Sequence, residues 1–141
     1  NFDIEGILWK DNNIYMFTKD RSTPLTGYSK QYVIPDTPGN HTAMLIDSFY
    51  VDNQNFPARI TAADINHQTG EVVLLTRTRV LSFTNYPENK FFKGKVIDYQ
   101  FATGIGQAEA IGFIDNDNLY ITEEGTVSTP GFLYKVTLPR Q

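Results

Sequence analysis

Three carboxylates recur at matching places in this sequence: Glu5, Glu109 and, one residue late, Asp64. Each stands near the start of a segment that the chain uses three times. Glu5-Gly-Ile-Leu-Trp-Lys-Asp-Asn-Asn-Ile-Tyr-Met-Phe-Thr18 lies without gaps on Glu109-Ala-Ile-Gly-Phe-Ile-Asp-Asn-Asp-Asn-Leu-Tyr-Ile-Thr122, and a looser copy runs from Ala63 to Thr76. In every copy an Ile and a Thr are 11 residues apart: Ile7 and Thr18, Ile65 and Thr76, Ile111 and Thr122. Carboxylates gathered at one point would suit Ca²⁺ or Mg²⁺, which take oxygen ligands. A metal so held could polarise a lactone carbonyl or a phosphate oxygen and activate water. The same acids could instead accept backbone N–H bonds from a neighbouring repeat and act as clasps. Recurrence favours the clasp, because function rarely needs the same residue in every unit. Ala63 also breaks the pattern in the middle copy, so a metal site on Glu5, Asp64 and Glu109 would be asymmetric.

These acids must be positioned by the repeat itself. Each copy is an apolar run, a polar turn and a second apolar run, which is the pattern of a β-hairpin. The copies follow at intervals of 58 residues (Ile7 to Ile65) and 46 (Ile65 to Ile111), as the blades of a β-propeller do. The expected fold is all-β: a propeller fragment of about three four-stranded blades, spanning 3–50, 60–101 and 109–138, with the last blade incomplete. In the first unit the strands read as Glu5 to Trp9, Asn13 to Thr18, Tyr28 to Ile34 and His41 to Phe49. Poor alternation in Ile14-Tyr-Met-Phe17 suggests a strand covered on both faces. In the second, they read as Ile60 to Asn66, Glu71 to Thr76, Val80 to Phe83 and Lys95 to Phe101. The third unit offers its hairpin and Phe132 to Leu138. Propellers close from typically about four to eight blades, so the chain is expected to be the C-terminal portion of a longer ring, with the remainder of the propeller as its first partner. Trp9 and Phe113 hold equivalent places and should lie buried between blades. Lys19, Arg77, Arg79 and Glu123 follow second strands and read as solvated turn residues on one rim.

Composition narrows the function classes. The net charge of −4 over 141 residues opposes a nucleic-acid binder, because phosphate binding needs clustered Lys and Arg. No apolar run approaches the roughly 18 residues of a membrane-spanning helix. Absence of cysteine removes disulfides and thiolate metal sites. Asp115-Asn-Asp-Asn118 begins like a calcium loop but lacks its glycine and its next acidic ligand, so it reads as a hairpin turn. No Gly-x-Ser-x-Gly elbow occurs, and His41 and His67 have no second ligand at metal-binding spacing.

The runs Asp3-Ile-Glu-Gly-Ile-Leu-Trp-Lys-Asp-Asn-Asn-Ile-Tyr-Met-Phe-Thr-Lys, Ile60-Thr-Ala-Ala-Asp-Ile, Asn89-Lys-Phe-Phe-Lys-Gly-Lys-Val and Glu109 to Thr122 carry a resemblance. Across nearly all of its length the chain resembles the C-terminal half of a group of secreted propeller proteins from Bacteroidetes-type bacteria. That resemblance implies a secreted, cell-surface or periplasmic location and brings no activity with it. More distantly, Glu5-Gly-Ile-Leu-Trp9 is similar to the Glu-Gly-Pro-x-Trp opening of the regucalcin and gluconolactonase propellers. That likeness implies a divalent-metal role for Glu5, although Ile7 replaces the proline. Two functions are therefore expected in outline. One is a non-catalytic propeller that binds a protein or glycan through loops bearing Tyr28, Tyr50, Phe56 and Tyr86, a composition suited to binding. The other is a metal-dependent hydrolase of the lactonase or phosphoesterase type, working at the channel mouth with Ca²⁺ or Mg²⁺.

Overall fold

The computed structural model describes residues 2–52, 59–103 and 105–139. Eleven strands form three antiparallel sheets of four, four and three strands, none of them closed, with no α-helix among the described residues. Sheet 1 runs in chain order through β1 (Phe2–Lys10), β2 (Asn13–Asp20), β3 (Tyr28–Pro35) and β4 (Met44–Tyr50). Sheet 2 follows with β5 (Ala62–Ile65), β6 (Val72–Leu75), β7 (Arg79–Thr84) and β8 (Lys95–Gln100), and a 3₁₀ turn, Phe91–Lys93, lies before β8. Sheet 3 has β9 (Gln107–Phe113), β10 (Asn118–Glu124) and β11 (Leu133–Thr137). No described helix is long and apolar enough to cross a membrane.

Turn chemistry explains where the hairpins fold. Asp11 and Asn12 both take positive φ, 51° and 57°, as the two central residues of a type I′ hairpin must. In the second hairpin the Asn66 Oδ1 accepts the N–H groups of Gln68 and Thr69 at 2.9 and 3.3 Å, and Gly70 supplies the positive φ of 77°. In the third, Asp115 Oδ1 accepts from the N–H groups of Asp117 and Asn118 at 2.9 and 2.8 Å. Those bonds, led by the one from Asp117, lower the Asp115 carboxyl below its ordinary pKa. Here the calcium-like run is a turn whose acid is spent on its own backbone. The expected strand from His41 starts only at Met44, because His41 instead bonds the Thr37 carbonyl at 2.7 Å through Nε2.

Sheet 2 is the middle layer. All four residues of β6 are fully buried, and they divide by parity. Val72 and Leu74 join Leu8, Tyr15 and Phe17 of sheet 1 in one core, whereas Val73 and Leu75 join Ile111, Leu119 and Ile121 of sheet 3 in the other. A strand covered on both faces needs apolar residues at every position, which erases the period-2 signal. Phe91 and Phe92 plug the first core against Tyr15, Phe17 and Phe49. Buried Gln31 stitches this plug to sheet 1, donating to the Asn89 carbonyl at 2.7 Å and accepting from the Phe91 N–H at 3.1 Å. The strands β1, β5 and β9 run side by side. Gly6 permits this approach, since a Cβ there would stand 2.8 Å from Ala63 Cβ.

Other expectations fail as well. Strand β2 is not covered on both faces: Tyr15 and Phe17 enter the core shared with sheet 2, while Ile14 and Met16 lie on the opposite face. Trp9 is not buried: it is 49% exposed, its Nε1 donates to Asp36 at 2.6 Å, and its ring tilts against His67. It belongs to the outer face of sheet 1, where the registers align Ile7 with Met16, Tyr32 and Leu45, and Trp9 with Ile14 and Ile34. The core shared with sheet 2 lies on the opposite face, with Leu8, Tyr15 and Phe17, so Trp9 keeps only partial cover. Arg79, in turn, is no free turn residue. It lies in β7 with its side chain 16% exposed, bridging Asp98 at 3.0 Å and Asp52 at 3.5 Å.

Candidate ligand-binding cavity

Glu5 and Glu109 occupy special backbone positions. Ile4 pairs with Thr18 and Gly6 with Phe17, leaving Glu5 as the extra residue of a β-bulge. Ala108 pairs with Glu123 and Ala110 with Thr122, leaving Glu109 in the same situation. A bulge re-aims the side chain of its extra residue and bends the strand. Both glutamates reach a cavity of about 360 Å³ at the leading ends of β1, β5 and β9. Glu5 of β1, Lys19 of β2 and Arg21 just after it line one side, Arg59 and Thr61 come from the segment before β5, Arg77 from the turn between β6 and β7, and Gln107 and Glu109 from β9. Six of these eight side chains are ionisable, four as cations and two as carboxylates.

The cations are held with differing firmness. Arg21 bonds Glu5 at 2.9 Å and Asp3 at 2.7 Å, and the Asp3 bond is the main cause that raises its pKa. Lys19 stands 3.4 Å from Glu5, with its side chain only 12% exposed. Arg77 donates to Gln107 Oε1 at 2.6 Å, and Gln107 donates onward to Glu124 at 2.8 Å. Arg59 is 7% exposed and donates through Nη1 to the Asp20 carbonyl at 2.8 Å. Burial, then repulsion from Arg21 and Arg77, lowers its pKa below that of a free guanidinium. The guanidinium groups of Arg21, Arg59 and Arg77 all belong to the lining of this one opening. Glu109 is exposed at the cavity wall and makes no hydrogen bond or ion pair among the described residues.

One buried carboxylate anchors this end of the molecule. Asp20, 4% exposed, accepts from the N–H groups of Ser22, Thr26 and Gly27 at 2.8, 2.6 and 2.9 Å, and from Thr26 Oγ1 at 2.7 Å. Burial alone would raise its pKa, but the bonds from Thr26, Ser22 and Gly27 outweigh it and hold the carboxyl well below the usual range. Asp20 thus fixes the loop after β2 that carries Arg21, while its own carbonyl holds Arg59.

Asp64 stands elsewhere. Its Oδ2 accepts the N–H of Phe113 at 2.7 Å, tying β5 to β9. It lines a second cavity, of about 490 Å³, at the trailing ends of those strands, with His67, Phe113 and Asp115. The structure therefore brings Glu5 and Glu109 together and leaves Asp64 apart, in the clasping arrangement. Among the described residues no group of three or more His, Asp or Glu side chains is placed to hold a metal ion.

The loop aromatics also divide. Tyr28 and Tyr50 are cross-strand partners, roughly half exposed, with their rings edge to face at 5.4 Å. Tyr86 turns inward: it packs on Phe91 and its hydroxyl donates to the Gly70 carbonyl, and burial pushes its pKa up to about 12. Phe56 lies outside the described residues. None of these tyrosines lines the cationic cavity. Sequence reasoning set Lys19 and Arg77 on a rim as solvated residues and passed over Arg59, Thr61 and Gln107. The one available signal was a run of basic residues recurring just after second strands. Against this fold and this cavity, no family model, no curated protein and no solved structure matches the chain.

Proposed function

We propose that the three sheets are consecutive blades of a β-propeller, and that the protein is a non-catalytic binding module that receives a glycan at the cationic cavity. The cavity itself carries the reading. All three sheets build it, it opens at one end of the three adjacent strands β1, β5 and β9, and its volume falls in the range of about 300–1,000 Å³ typical of small-ligand sites.

Support for the blade arrangement comes from one recurring position. Ile65 is 4% exposed and packs toward sheet 1; Ile111 is 9% exposed and packs toward sheet 2; their counterpart Ile7 is 63% exposed. The position is buried wherever a preceding sheet exists and open where none does. A further antiparallel sheet, from the remainder of the propeller, fits the apolar rows around Ile7, Met16 and Tyr32. The resemblance to secreted propellers supports an extracytoplasmic location. The metal-hydrolase alternative gains less from the geometry, because Glu5 is neutralised by Lys19 and Arg21 while Asp64 serves Phe113.

Retention of the intact protein on a glycan array, with the retained saccharide recovered unchanged after long incubation with Ca²⁺ and Mg²⁺, is the expected result. Metal-dependent turnover of lactones or phosphoesters would overturn the reading.

A further inference from the structure

We infer that a second copy of this chain supplies the remainder of the propeller, its sheet 3 covering the exposed face of sheet 1, so that two copies close a ring of six sheets. This deepens the blade reading above and rests on it. Sheets 2 and 3 each bury one face against the sheet before. Ile65, Val72 and Leu74 enter the core with sheet 1, and Ile111, Leu119 and Ile121 enter the core with sheet 2. The corresponding face of sheet 1 aligns Ile7, Met16, Tyr32 and Leu45 in one row, with Ile7 63% and Leu45 53% exposed. An apolar row across four strands marks an interaction site. Both packings inside the chain put a β-sheet on that face, which is the occupant expected here too.

The other end of the stack offers such a sheet. The outer face of sheet 3 aligns Tyr120 with Lys135, and Ala110 with Thr122 and Leu133. Tyr120 is 46% and Leu133 64% exposed. The small side chain of exposed Ala110, aligned with Gly6 in the repeat, lets a further strand approach β9 as Gly6 lets β5 approach β1. Thr122 and Lys135 make this face less apolar than the row on sheet 1, which suits a pair that can dissociate. The number of sheets selects the copy. Propellers close from typically about four to eight blades, and a chain of three sheets reaches that range in whole copies only as a pair. Two different faces meet in this contact, and a contact of that kind ends in a closed ring or an open filament. Two copies joined by two identical contacts leave neither face open, and both cationic cavities then stand at one mouth of the ring.

Sedimentation equilibrium of the 141-residue chain tests this. A reversible dimer of twice the 16.0 kDa chain mass is expected, with no larger species. Ile7→Asp and Leu133→Asp should each raise the dissociation constant about a hundredfold or more, because each puts an unpaired carboxylate into both contacts. Both side chains are largely exposed in the single chain, so each variant should keep the native strand signal in circular dichroism. An equimolar mixture of the two variants should associate more tightly than either alone, since the mixed pair keeps one contact free of both changes. A monomer at every concentration, or oligomers that keep growing with concentration, would overturn the inference. So would an unchanged dimer in folded Leu133→Asp, which would mean that sheet 1 pairs with its own counterpart, or a mixture no tighter than its components. The blade reading would survive each of these results, and would fall only if NMR contacts of Ile65 with sheet 1 and of Ile111 with sheet 2 were also missing.

Discussion

At the trailing ends of β5 and β9, Asp64 gives its carboxylate to the Phe113 N–H and Asp115 gives its own to the turn that contains it. At the leading ends, Glu5 and Glu109 share a cavity with Lys19, Arg21, Arg59 and Arg77. Acids of similar sequence setting thus serve opposite purposes. The difference lies in what the backbone demands locally. Where a strand or turn presents N–H groups without ladder partners, the carboxylate satisfies them. Where a bulge turns the side chain away from the ladder, the carboxylate is left for other side chains or for a ligand.

The largest expected effect breaks the cationic end at its anchor. Asp20→Ala strands three backbone N–H donors and should cost about 3 kcal/mol or more in a denaturant melt. It should also disorganise Arg21 and Arg59. The native protein should show the same dependence through pH. The folded pKa of Asp20 is depressed, so its contribution is complete above the unfolded value of about 3.9 and is lost as pH falls from there through the lower folded value. Asp20→Asn should flatten that acid limb of the stability profile.

Much of the framework was legible, for identifiable reasons. Apolar runs broken by Asp11-Asn12, His67-Gln-Thr-Gly70 and Asp115-Asn-Asp117 located the hairpins, because turn residues there have few alternatives. The facing of the third hairpin was not legible. Ile114 pairs with Asn118 across three residues, whereas the first turn has two residues between Lys10 and Asn13, and the second has four between Asn66 and Glu71. An odd loop inverts the parity of the returning strand. Thr18 and Thr76 are therefore buried while Thr122, aligned with them in sequence, is exposed. The cavity was hidden for another reason. Its charges come from five separated segments, and Arg59 sits in a polar connector where nothing marks it as buried.

Separating the central strands should come next in size. Gly6→Val drives a side chain into Ala63 and the backbone at Ala62, costing about 1–3 kcal/mol or more. Since both ends depend on β1 and β5 staying close, saccharide binding should weaken in the same variant. Asp64→Ala should cost about 1–3 kcal/mol for an orphaned inter-sheet N–H and leave saccharide affinity unchanged. That outcome would sharpen the division between a structural end and a binding end; a loss of binding would erase it.

A smaller pair tests the two reversed placements. Trp9→Ala should cost about 1–2 kcal/mol, less than the 3–5 of a buried aromatic, because half the side chain is already in water. Arg79→Ala should cost a similar amount, about 1–2 kcal/mol, through its bonds to Asp98 and Asp52. Chemical denaturation of both variants in parallel checks the comparison.

The most direct measurement is a map of backbone amide shifts in the intact protein during titration with a saccharide retained on the glycan array. Changes should concentrate at Lys19, Arg21, Thr61, Arg77, Gln107 and Glu109, with Asp64 to Gln68 and Asp115 to Asn118 unmoved. Shifts centred on the Asp64 end, or on Tyr28 and Tyr50, would contradict the assignment of binding to the cationic cavity.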